Sequence, residues 1–118
     1  MSVNPGFMRK IASNYILLPG FPLVKNGYVV LSGAAVVDVV NTGGEMKEIA
    51  GLEFYGGMIV AGYVTGQVLE QAGNDSFLPV IEELYLEKGS DYAGLSIIEG
   101  ADLSSFLIRG SMVVRHLV

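Results

Sequence analysis

Apolar and polar positions along this 118-residue chain alternate in short runs broken by glycine, the pattern of β-strands rather than of long helices. Lys10 to Leu18 is apolar and β-branched. It stops at Pro19-Gly20-Phe21-Pro22, which neither a helix nor a central strand tolerates. Asn26-Gly27, just before Tyr28 to Leu31, is a hairpin signal. Ser32-Gly33 separates that strand from Ala35 to Val40 in a second hairpin, and Thr42-Gly43-Gly44 ends it. Leu52 to Tyr55 and Met58 to Val64 flank Gly56-Gly57, predicting a third hairpin whose glycines supply positive φ angles. Near the end, Ala93 to Glu99 reads as a strand followed by a turn at Gly100-Ala101-Asp102. Phe106 to Arg109 and Met112 to Val118 then flank Gly110-Ser111 as a two-residue hairpin.

The middle changes period. Asp75 or Ser76 can cap a helix over about residues 76–88, closed by Gly89, with Pro79 in the first turn where its missing N–H costs little. Phe77, Ile81, Leu84 and Tyr85 share one helical face, while Glu82, Glu83 and Glu87 face water. The predicted fold class is mainly β: a small β-sandwich or barrel-like domain with one short helix, its N- and C-terminal strands sharing a sheet. The length fits one domain, 1–118.

Composition adds a surface question. The hydrophobic fraction is 51%, the mean hydropathy +0.49, and charged residues are only 16%, against roughly 25% in an average globular chain. So little polar surface predicts apolar area that meets a partner, and a homo-oligomer is the expected form. A net charge of −5 with scattered basic residues argues against nucleic acid. The absence of cysteine removes disulfides and thiolate metal sites.

No membrane span is predicted. The uncharged run from Phe54 is interrupted by Gly56, Gly57, Gly62 and Gly66 and falls short of the ~20 residues a span requires. Its Gly62-x-x-x-Gly66 spacing carries little weight outside a long apolar helix. Arg9-Lys10 before Ile11 to Leu18 imitates the start of a signal peptide, but Asn14 and Pro19-Gly20 break the run, and a first strand explains it better. A cytoplasmic location is therefore expected.

Candidate chemistry is sparse. His116 is the sole imidazole and has no carboxylate beside it in sequence, so an edge or structural role is expected. Glu82, Glu83 and Glu87 offer carboxylates for a cation, yet no EF-hand loop surrounds them, and a solvated helix face is the preferred reading. There is no G-x-G-x-x-G run, no P-loop and no G-x-S-x-G elbow. Tyr15, Tyr28, Phe54, Tyr55 and Tyr63 are read first as core or cross-strand packing, and second as the lining of a ligand cleft.

The order of the strands carries a family resemblance. Leu23-Val24-Lys25-Asn26-Gly27-Tyr28-Val29-Val30-Leu31, then Gly33, then Val36 to Val40, resembles the opening of amidohydrolase-superfamily enzymes of the aminohydrolase and chlorohydrolase branch. The run Ile49 to Val64 resembles the passage from their small β domain into the first barrel strand, where the family has V-P-G-F-x-x-x-H-x-H. Tyr92 to Leu103 and the segment Leu107 to Leu117 resemble the C-terminal return that finishes the small domain. The likeness covers roughly residues 9–66 and 89–118, with 67–88 as a helical bridge.

In the family, a metal-bearing (β/α)₈ barrel of about 250 residues separates the two parts. Here only the short stretch Gly66 to Glu87 does so. The family proline is Ala61, and the H-x-H positions are Gln67 and Leu69, neither of which supplies the imidazole, carboxylate or thiolate that zinc needs. The resemblance thus implies the composite small domain alone, without catalytic residues, metal or cofactor. The expected function is a non-catalytic structural or interaction module, a metal-dependent hydrolase remnant rather than an enzyme. Two alternatives stand beside it: a small-molecule binding protein, and an accessory subunit completing a hydrolase site in trans with a barrel-bearing partner.

Overall fold

A computed structural model describes residues 8–43 and 50–118. Residues Gly44 and Ile49, which belong to two of the sequence motifs above, lie outside the described residues. Six strands form one mixed sheet: β1 (Met8–Leu17), β2 (Val24–Ser32), β3 (Ala35–Asn41), β4 (Leu52–Ala61), β5 (Leu95–Glu99) and β6 (Val113–His116), in the order β3-β2-β1-β4-β5-β6. Between β4 and β5 lie α1 (Gly66–Leu69), a 3₁₀ turn (Glu70–Ala72) and α2 (Leu78–Lys88). The mainly β class stands, and strands from the two ends of the chain share the sheet through the antiparallel β4–β5 pair.

Among the described residues, only β1 and β4 run parallel. Their ladder slips between Ser13–Tyr55 and Tyr15–Met58, where β4 spends two residues against one on β1. This slip replaces the hairpin expected at Gly56-Gly57: β4 runs on through both glycines. Gly57 has φ +132, and a Cβ there would lie 2.1 Å from the Ile98 carbonyl oxygen, so glycine is needed for close strand approach rather than for a turn. The Gly57 backbone is held from β1 on both sides: Asn14 Oδ1 accepts its N–H at 2.8 Å, and Ser13 Oγ donates to its carbonyl at 2.7 Å.

Asn26-Gly27 is a second correction. Asn26 does take a positive φ of 56°, but β2 passes straight through, and the chain reverses instead at Pro19-Gly20-Phe21-Pro22. Gly27 is small because a Cβ would meet the Val40 carbonyl oxygen at 2.5 Å. The turn at Gly33 between β2 and β3 is as expected.

The closing hairpin differs too. Phe106 to Arg109 is not a strand: Leu107 makes an isolated bridge to Asp102, and Phe106 has φ 56. β6 pairs with β5 instead, Ile98 opposite Val114 and Ser96 opposite His116. The Phe106 carbonyl accepts the Phe77 N–H at 2.9 Å, which ties this loop to the start of α2.

The helix expected at 76–88 forms over Leu78–Lys88 and ends at Gly89, φ 67. The N-cap position falls on Phe77, which makes no side-chain cap, rather than on Asp75 or Ser76; Ser76 Oγ, one residue before it, accepts the Leu78 N–H at 3.3 Å. Phe77, Ile81 and Tyr85 enter the core, Leu84 packs against it, and Glu82, Glu83 and Glu87 face water. The expected 67–88 bridge holds a second helical segment, 66–72, besides the one helix predicted at 76–88. Thr65 starts it by accepting the Val68 N–H at 3.2 Å, and Leu69 anchors it in the core.

Met58 through Ala61 and Leu95 through Ile98 are each buried at consecutive positions. Successive strand side chains point to opposite faces, so this part of the sheet is covered on both sides. The edges β3 and β6 and the first half of β4 are far more open.

Candidate functional site

Tyr85 joins α2 to the sheet. Its hydroxyl donates to the Leu17 carbonyl and accepts the Ala61 N–H at 3.1 Å, filling backbone positions where β1 and β4 end. Burial pushes its phenol far above the ordinary value, which keeps the hydroxyl neutral and able to donate. Tyr63 packs edge-on to Tyr85 and to Tyr92 at 5.7 and 6.2 Å, and donates to the Gly89 carbonyl at 2.7 Å. Lys88 Nζ lies 5.8 Å from the Tyr63 ring centre. This cluster locks the helix C-terminus onto the end of β4.

The residues singled out from sequence do not converge. His116 is exposed on the edge strand β6 and packs near Gly94. Glu83 and Glu87 border a groove between α1 and α2, whereas Glu82 borders a different groove beside Pro22 and Leu23. Among the described residues, no three His, Asp or Glu side chains gather as a ligand set. Gln67 is exposed and Leu69 is fully buried, so the two H-x-H positions face different surroundings on α1.

The aromatics divide as well. Tyr15 meets Phe106 edge-on at 5.1 Å, and Phe106 meets Phe77 at 6.2 Å. Tyr55 reaches Glu53 at 3.4 Å, beside the Arg9–Glu53 pair with N–O distances of 2.9 and 2.8 Å. That pairing draws the Glu53 carboxyl below its usual range. Phe54 projects into solvent at 58% exposure.

The feature that stands apart is apolar. The β1–β2 turn and α2 enclose a groove of about 370 Å³. Phe21, Leu23 and Leu86 line it at 43%, 38% and 89% exposure, with Pro19 and Pro22 between them and Glu82 as its one charged side chain. Leu86 sits one residue beyond the buried Tyr85, so the geometry that seats Tyr85 in the core points Leu86 outward. A leucine this open beside a phenylalanine and a second leucine makes an exposed apolar patch. Sequence reasoning drew exposed apolar area from composition and allowed the helix at 76–88 a part in it, but did not give the pairing with the Pro19–Pro22 turn, which is far from α2 in the chain.

No helix among the described residues is long and apolar enough to cross a membrane. No protein-family model, curated protein or solved structure matches this chain.

Proposed function

We propose that this protein is a non-catalytic interaction module, built like the small β domain of an amidohydrolase without its barrel, that associates with a second copy of itself. The observation carrying the reading is Leu86, 89% exposed beside Phe21 and Leu23 on one groove. A chain that is 51% hydrophobic and 16% charged has little means of covering such a face except another molecule like it.

On this reading the chain keeps the two parts of the composite domain and lacks what lies between them. The segments that resemble the two halves of the family domain meet as β4 and β5, and α1 and α2 bridge them in place of a barrel. Gln67 and Leu69 bring no ligand atoms suited to a catalytic metal, which favours a binding role over hydrolysis. A cytoplasmic setting fits, because the apolar run Ile11 to Leu18 is built into the sheet and its end. Sedimentation equilibrium across a wide concentration range tests the reading. A dimer or higher species supports it, and a monomer at every concentration contradicts it.

A further inference from the structure

A second cleft lies beside the β1–β4 slip, and its chemistry differs. It measures about 460 Å³ and is lined by Asn14, Tyr15, Lys25 and Asn26 from β1 and β2, and by Ala101, Leu103 and Ser104 from the loop after β5. Its size lies within the ordinary range for small-ligand sites.

Its polar groups are mostly donors. Asn14 Oδ1 is committed to the Gly57 N–H, so the amide of Asn14 has its NH₂ to offer. Asn26, on β2 with φ 56, adds a second side-chain amide. Lys25 stands opposite Tyr15 in the ladder and supplies the charge; no carboxylate among the described residues pairs with it. Asp102, between Ala101 and Leu103 in sequence, is already satisfied. It accepts from the Ser104 hydroxyl at 2.6 Å, the Ser104 N–H at 3.0 Å and Arg109 at 2.7 Å. The apolar wall is the Tyr15 ring, held edge-on by Phe106, together with Ala101 and Leu103.

We propose that this cleft binds a small molecule carrying one carboxylate on an apolar body. The carboxylate meets the Lys25 ammonium and the two amide NH₂ groups, and the body lies against Tyr15 and Leu103. One ammonium with neutral donors matches a single negative charge. A phosphate dianion would find no second unpaired cation among the described residues lining the cleft.

The probe is benzoate, followed by backbone amide shifts of the 118-residue protein, with benzamide and phenyl phosphate as comparisons. Benzoate is expected to give saturable shifts at Asn14, Lys25, Asn26 and Ser104, with benzamide at least about tenfold weaker because it lacks the charge. Lys25→Met is expected to bring benzoate down to the benzamide level, while Lys25→Arg retains binding. The proposal is overturned by absent or non-saturable shifts at the cleft, by equal affinity for benzamide, by unchanged binding in Lys25→Met, or by tighter binding of phenyl phosphate. The benzamide comparison uses the unmodified protein, so the test holds even if a variant fails to fold.

Discussion

Asn14 accepts the Gly57 N–H at 2.8 Å across the one place where β4 carries a residue more than β1. The contact keeps the parallel pair in register on both sides of the slip. Asn14→Ala removes the partner of that N–H and is expected to cost about 1–2 kcal/mol. Gly57→Ala is expected to cost more, on the order of 3 kcal/mol, because the new Cβ meets the Ile98 carbonyl and φ is +132. Urea unfolding of the two variants checks the order.

Tyr85→Phe leaves the ring in place and takes away both hydroxyl contacts, to the Leu17 carbonyl and the Ala61 N–H. Both backbone groups are buried, so a loss of about 1–3 kcal/mol is expected from denaturant midpoints, with α2 still present by circular dichroism. An unchanged midpoint would show that the helix is held by apolar packing alone.

Much of this fold is legible in local sequence. The β1 run, the Gly33 turn and the face Phe77, Ile81, Tyr85 each follow from periodicity that packing then reinforces. Gly56-Gly57 and Asn26-Gly27 misled because glycine signals either a tight turn or a close approach of backbones. The partner that decides is distant: Ile98 for Gly57, Val40 for Gly27. Phe106 to Ile108 has a strand's composition, yet its tertiary contacts with Tyr15 and Phe77 and its bond to the helix start win. The groove at Phe21 and Leu86 was hidden for the same reason, since neither residue is unusual until the turn and the helix are placed side by side.

Asp102 supplies a pH prediction. The Ser104 hydroxyl first, then the Ser104 N–H, hold its carboxyl at about 2, below the ordinary 3.8, with Arg109 adding to the effect. A depressed folded value contributes stability above the unfolded value and loses it as pH falls toward the folded one. The contribution of this turn is therefore expected to be complete above about pH 4 and to fade toward pH 2. The Asp102 side-chain carbonyl resonance should titrate near the lower end, and Ser104→Ala should move that midpoint up. A midpoint near 3.8 in the unmodified protein would contradict the turn geometry.

Leu86→Ser should separate folding from association. At 89% exposure the side chain contributes little to the monomer, so stability is expected to stay within about 0.5 kcal/mol. Self-association is expected to weaken about tenfold or more. Two copies of net charge −5 repel, so added salt should screen the repulsion and tighten the dimer. Weakening with salt would mean that ion pairs rather than the apolar groove hold the copies together.

The most direct measurement follows backbone amide resonances as the protein is concentrated. The account predicts progressive changes confined to Leu17 to Leu23 and Glu82 to Leu86, absent in Leu86→Ser. Spectra that do not change with concentration, or changes mapping to the edge strands β3 and β6, would contradict self-association through this groove.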